Sequence, residues 1–283
     1  MAKCRKWAAM LAALLFLGMV PVGAAAPLVA ENLELETYRG VSVGGQLAAA
    51  AAPENGKLSY RITTEPCKGS VEVEADGHFI YTPEEGRRGR DYFGYKVFDE
   101  SGNASQEATV IIHLVKCKAS FRYADTQGLP CDYAAHVLAE KGHMEGQCLA
   151  GNHVFEPERP ITRGEFLSLC MSAAGVEPLR GVTSTGCRDD AEIDGWLKPY
   201  VSTALLAGYT GTDAFFCGDE ALGRREAAET LCAVFALTDA PGVAADEEDR
   251  AAMNLSGSGI SLALGDAPLT RGEAAMMLAE AMR

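Results

Sequence analysis

The sequence predicts a two-part fold, an all-β sandwich followed by an all-α bundle of three helix-loop-helix pseudo-repeats. Three observations predict it. From Ala30 to Val115 apolar and polar side chains alternate with period two, the pattern of strands with one buried and one wet face. After Cys117 the period becomes helical. One phrase then recurs three times without a gap, and such self-similarity marks supersecondary units that bury surface against one another.

The chain opens with Lys3, Arg5 and Lys6, then an apolar run from Trp7 to Val20, then small residues through Ala26. That layout predicts a secretory signal over residues 1–25, cut near Ala24 or Ala25, because Pro27 disfavours a cut just before it. The run falls short of the roughly 20 apolar residues of a membrane span. No later segment is apolar enough to span, so the mature chain is expected to be soluble and displayed at the bacterial cell surface. Cleavage removes three positive charges and no negative ones, taking the net charge from −14 to −17. So acidic a chain lacks the clustered cations that phosphate contacts need, which excludes nucleic acid as a partner.

Eight cysteines remain beyond the signal: Cys67, Cys117, Cys131, Cys148, Cys170, Cys187, Cys217 and Cys232. An even count in an exported chain predicts disulfides, with pairing left open. Cys67 and Cys117 flank the β segment and either pair with each other or leave Cys117 to the next domain. No C-x2-C occurs, which argues against zinc and thioredoxin-like sites.

The sandwich is expected over 26–116. Leu33–Thr37, Lys57–Ile62, Ser70–Glu74, His78–Thr82, Tyr92–Phe98 and Ala108–Val115 read as strands. Glu54-Asn55-Gly56, Asp76-Gly77 and Ser101-Gly102-Asn103 read as turns between them. Asp91 and Asp99 either join Glu54 around calcium or cap turns, as short Asp side chains do. The strings Asp76-Gly77-His78-Phe79-Ile80-Tyr81-Thr82-Pro83, Gly89 to Tyr95 and Asp99 to Asn103 resemble the bacterial Ig-like or cadherin-like repeat domain. The resemblance implies a spacer or adhesion module rather than a catalyst.

The helical part is expected over 119–283, with repeats near 119–178, 183–238 and 244–283. The phrase runs Phe155 to Phe166, Phe216 to Ala227 and Ala263 to Ala274. Thr162 with Glu165, and Thr270 with Glu273, form capping boxes at helix starts. In the second copy Gly223 replaces the Thr before Glu226. Apolar helices follow each phrase, and Tyr133–Lys141, Leu197–Ala207 and Glu247–Asn254 read as the helices upstream. Capping leaves an arginine unexplained, assigned to Arg163, Arg225 and Arg271. Either it pairs with a local carboxylate, or it grips a ligand's carboxylate beside a helix N-terminus.

F-x-P-x-x-x-I-T-R-x-E, fullest in Phe155 to Glu165, resembles the signature of the S-layer homology domain. That family's opening phrase, F-x-D with a Trp six residues on, is met by Asp190 to Trp196. Phe121 to Asp125 meets it with Cys131 in the Trp place. Copy two reads Leu-Gly-Arg-Arg-Glu, and copy three has no such opening. The resemblance implies a three-fold bundle that binds secondary cell-wall polysaccharide, often pyruvylated, in grooves between repeats. It implies Arg163, Arg225 and Arg271 as contacts, with Trp196 either stacking on sugar or buried in the core.

No catalytic arrangement is visible: G-x-S-x-G, H-E-x-x-H and P-loop motifs are all missing. His136, His143 and His153 are loosely grouped and read as scattered surface residues. The chain is therefore expected to be a non-enzymatic anchored surface protein, without cofactor or metal. The alternative is a degenerate relative whose repeats bind proteins instead of sugar.

Overall fold

The structure, a computed structural model, describes residues 28–51, 57–119, 121–211, 215–237, 247–257, 260, 265 and 267–283. The expected signal peptide, Glu54 and the start of the third phrase lie outside the described residues. An N-terminal β-sandwich of Ig type is followed by a helical region with six helices among the described residues.

The strands are β1 (Val29–Ala30), β2 (Leu33–Tyr38), β3 (Val43–Gln46), β4 (Ala49–Ala51), β5 (Ser59–Thr64), β6 (Gly69–Val73), β7 (His78–Pro83), β8 (Gly89–Phe98) and β9 (Ala108–Val115). One sheet runs β2-β9-β8-β5, with β2 parallel to β9, and faces the sheet β3-β7-β6. Their inward positions alternate as the sequence pattern requires. Leu35, Phe79, Tyr81, Phe93, Tyr95, Val110 and Ile112 form the core between the sheets.

Asp91 is 2% exposed and takes the turn-anchoring role. It accepts hydrogen bonds from the amides of Cys67 (3.1 Å) and Lys68 (2.8 Å) and from the Tyr81 hydroxyl (2.8 Å). Asp99 accepts from the Asn103 amide (2.9 Å) and side chain (2.8 Å), closing its own turn. Both carboxylates are thus committed to loop geometry.

The helices are α1 (Asp132–Glu140), α2 (Arg163–Ala173), α3 (Lys198–Ala207), α4 (Arg224–Phe235), α5 (Glu247–Gly257) and α6 (Arg271–Ala281). None is long and apolar enough to cross a membrane. A hairpin not foreseen in the sequence, β10 (Gln147–Leu149) with β11 (Asn152–Val154), sits between α1 and α2. Its tight turn uses left-handed Ala150 and Gly151.

Thr162 and Thr270 complete both halves of the expected capping boxes, while Gly223 has no side chain to do so. Thr162→Ala should therefore cost about 1 kcal/mol. Gly223→Thr should return a few tenths, since its φ of −73° is extended and a Cβ there meets open space. Thermal melts of the two variants check the opposite signs.

The helices pair across copies rather than within them. α2 packs on α3, α4 on α5, and the first helix, α1, on the last, α6. At the centre the three phrases exchange backbone hydrogen bonds in a closed cycle. The Ile161 amide donates to Leu269 (3.0 Å), Leu269 to Leu222 (2.7 Å), and Leu222 back to Ile161 (2.9 Å). All three side chains are buried to within 1%. The aligned phrases are therefore one strut each of a three-cornered axis.

The two halves are joined tightly. The Ser42 amide donates to Asp132 Oδ2 (2.9 Å), and the Tyr133 amide donates back to the Ser42 carbonyl (3.1 Å). Thr126 Oγ1 donates to Asp132 Oδ1 (2.6 Å), and Tyr38 donates to Glu140 (2.6 Å). A Cβ on Gly44 would come within 2.6 Å of Pro130, so β3 lies directly against this loop.

The expected disulfides are not formed. All eight described cysteines are free thiols, so Cys67 and Cys117 do not pair. Cys131 is buried, and Cys170 and Cys232 lie among apolar side chains, filling the core as small hydrophobes. Burial pushes the Cys131 thiol up to about 12.

Candidate functional site

Three junctions lie around the central axis, each where one phrase helix meets the next repeat, and cavities open beside Arg163 and beside Arg271. Their construction follows from the helix starts. The Arg163 amide donates to the Glu220 carbonyl (3.0 Å) and the Gly164 amide to Gly218 (2.9 Å). At α6 the same pair recurs: Arg271 to Arg159 (2.8 Å) and Gly272 to Pro157 (2.8 Å). The next amide in each helix binds its cap threonine. These helix N-termini are already satisfied by protein oxygens. An anion in the groove would meet guanidinium groups, not backbone amides.

The first residues of the three phrase helices are Arg163, Arg224 and Arg271. The assignment of Arg225 is therefore one residue off. The hydrogen-bonded cycle puts Leu222 in register with Ile161 and Leu269, so Arg224 follows at the shared place and Arg225 stands where the other copies have glycine. The opening aspartate shifts likewise. Asp125 accepts from the amides of Phe155 (2.8 Å) and Glu156 (2.7 Å). Asp189, not Asp190, accepts from Phe216 (3.0 Å) and Cys217 (2.7 Å). Glu156 and Cys217 share left-handed φ values of 60° and 53°, so this carboxylate holds the same kinked loop in both copies. Asp190 bonds Thr185 and Lys198 instead.

In the groove between copies one and two, Arg163 is fully engaged. Nε and Nη2 grip Glu226 at 2.5 and 3.1 Å, and Nη1 donates to the carbonyls of Phe216 and Cys217. Glu220 lies 3.5 Å away. The Glu226 hydrogen bond outweighs burial and holds the Arg163 pKa above its ordinary value. A cavity of about 510 Å³ opens beside this clamp. Between copies two and three, Arg224 is clamped on Glu273, Nε and Nη2 both donating to Oε1 at 3.1 and 2.6 Å while Oε2 accepts the Thr270 amide.

The groove between copies three and one breaks the pattern. By the same rule Arg271 should hold Glu165, but Glu165 is taken by Arg159 at 2.9 Å. Among the described residues Arg271 donates to the carbonyls of Phe155 (3.0 Å) and Glu145 (3.2 Å), with its guanidinium 4.8 Å over the Phe155 ring. Among the described residues no carboxylate lies within ion-pair distance of it. Burial and then the charge of Arg159 press the Arg271 pKa downward. Arg159, Arg271, Glu156, Glu165 and Gln147 line a cavity of about 370 Å³.

Trp196 belongs neither to the core nor to these cavities. It is 54% exposed, donates to Asp194 (3.1 Å) and meets Tyr200 edge-on at 6.3 Å. The three grouped histidines also part. His136 is buried against the Asp132 carbonyl, His143 contacts Ser172, and His153 stacks on Phe121. Among the described residues no group of His, Cys, Asp and Glu is placed to hold a metal.

Sequence reasoning passed over Arg159, Arg224 and Asp189. For Arg159 a signal was present, because within the aligned phrase its position is Arg in copy one, Glu220 in copy two and Ala267 in copy three. It is a charge-changing place inside an otherwise repeated string.

Residues 24–113 match the family described as bacterial Ig domain. No match to the S-layer homology family accompanies it. Nothing among curated proteins matches the chain. Among solved structures, a SusE-like surface-located polysaccharide-binding protein from the Bacteroides thetaiotaomicron heparin utilisation locus is similar at 12% identity. The match covers 35% of this chain and 16% of that one, with a TM-score of 0.26. A mutant of the SrpA adhesin from Streptococcus sanguinis is similar at 13% identity over 43% and 80% of the two chains, TM-score 0.26. Fibronectin(III)-like modules of Clostridium thermocellum CbhA match at 19% identity over 32% and 97%, TM-score 0.18.

Proposed function

We propose that this protein, a bacterial Ig domain joined to a closed ring of three helical repeats, is a non-enzymatic surface protein held to the cell wall by anionic polysaccharide. The ring supplies the anchor and the Ig domain the displayed module. One observation carries the reading. Arg271 is a half-buried cation with no carboxylate partner among the described residues, lining a cavity large enough for a sugar unit. A planar fork held by carbonyls and stacked on Phe155 is preorganised to take a carboxylate through two parallel hydrogen bonds. The arginine-bearing phrase, its likeness to the S-layer homology signature and the export-type N-terminus support the same reading.

Co-sedimentation with purified cell-wall sacculi tests it. The native chain should be retained, and Arg271→Gln should weaken retention about tenfold or more, the worth of a charge-assisted hydrogen bond. Arg163→Gln should change it little, because that guanidinium is spent on Glu226. Circular dichroism confirms that each variant is folded. Equal retention on sacculi stripped of polysaccharide would overturn the anchor and favour a protein-binding scaffold.

A further inference from the structure

We propose that Arg159 is the residue that opens the groove between copies three and one, by drawing Glu165 away from Arg271. The inference rests on the anion-binding reading above and adds what selects the groove.

The two other phrase arginines supply the latched state for comparison. Arg163 is latched by Glu226, and Arg224 by Glu273, each the third helical residue of the next copy. Glu165 is the matching residue for Arg271 and is built into the same capping box. Without a competitor it would complete a third latch. Arg159 is that competitor. Its Nη2 sits 2.9 Å from Glu165 Oε1, and Glu165 Oε2 caps the Thr162 amide at 3.1 Å, so both carboxylate oxygens are occupied. Burial opposes ionisation of Glu165, but Arg159, the Thr162 amide and the nearby Arg271 together hold its pKa below the usual range. Arg159 Nε is itself buried without a hydrogen-bond partner, at the rim of the same cavity.

The place of Arg159 in the phrase explains why, among the described residues, Arg271 alone of the three phrase arginines lacks a carboxylate latch. Its counterpart in copy two is Glu220, which cannot compete for Glu226 and instead adds a second negative charge beside Arg163. In copy three the counterpart is Ala267, which leaves Glu273 to Arg224. One position, read as Arg, Glu and Ala, thus leaves one phrase arginine unlatched and two latched among the described residues. In the open groove Arg271 takes the carboxylate of an acidic sugar, and Arg159 acts as a positioning residue.

The test is a short oligosaccharide released from wall polysaccharide, in native and carboxyl-reduced form, titrated calorimetrically into the full chain. Arg159→Ala should weaken binding about tenfold, since freed Glu165 then latches Arg271. Adding Glu165→Gln, which keeps the capping box, should restore binding to within about threefold of the native chain. Arg159→Lys should retain most of the affinity. A double variant as weak as the single one would overturn the proposal, because Arg159 would then be contacting the sugar itself. An unchanged single variant would overturn it too. If native and carboxyl-reduced sugars bind the native chain equally, anchoring stands and this inference falls. If neither binds, the functional reading falls first.

Discussion

Leu222→Ala should destabilise the helical half by about 3 kcal/mol, within the usual range for a fully buried leucine. The side chain is 1% exposed and stands at one corner of the hydrogen-bonded cycle with Ile161 and Leu269. Its backbone bonds survive the substitution, so the loss is the transfer energy of the removed atoms plus the cavity they leave. That cavity has little freedom to collapse, because the three struts are tied to one another at 2.7 to 3.0 Å. Urea denaturation followed by far-ultraviolet circular dichroism measures the shift. A loss below about 1 kcal/mol would mean that the axis is not a structural centre. Ile161→Ala and Leu269→Ala should behave alike, whereas Leu206→Ala, on an 80% exposed side chain, should be nearly silent.

Asp132→Ala is expected to cost about as much, by a different route. Asp132 is 3% exposed, accepts from the Ser42 amide and the Thr126 hydroxyl, and lies 3.4 Å from His136 Nδ1. Alanine leaves a buried amide and a buried hydroxyl without their acceptor, which costs about 3 kcal/mol in total. Because Ser42 belongs to the sandwich and Thr126 to the helical half, the damage falls on the junction. The native chain should unfold in one concerted transition and the variant in two. Asp132→Asn should be milder, since it keeps one acceptor. A single transition with an unshifted midpoint would sink this account of the junction as a rigid coupling.

The strands and capping boxes were legible because each rests on local chemistry. Alternation along β8 and β9 needs only period two, and Thr162 with Glu165 satisfies amides within one turn. The hairpin of β10 and β11 was missed because Gln147 to Val154 carries no alternation, its bend being made at Ala150 and Gly151. Helix pairing across copies was illegible for another reason. α1 meets α6 far along the chain, and periodicity does not report on partners. The arginine register was recoverable, since the gapless phrase places Arg224 beneath Arg163. Two adjacent arginines obscured it. The cysteines misled because export and an even count suggest pairing, whereas burial of Cys131 and Cys170 uses them as packing atoms. The grooves' charge was the least legible feature. Arg163 and Arg271 look identical in sequence, and only the rival arginine at 159 distinguishes them.

The contact of α1 with α6 also determines how the molecule bears load. Drag on the Ig domain passes through Ser42 and Asp132 into α1, the helix that begins the ring. In an open stack, pulling on the first unit would peel it away and expose the next. Here the first helix is backed by the last, so the pull is shared across the seam and tends to shear it rather than unzip it. The seam also borders the groove that holds Arg271, the first residue of α6. Under the anchoring proposed above, a tether seated there grips the chain where tension arrives.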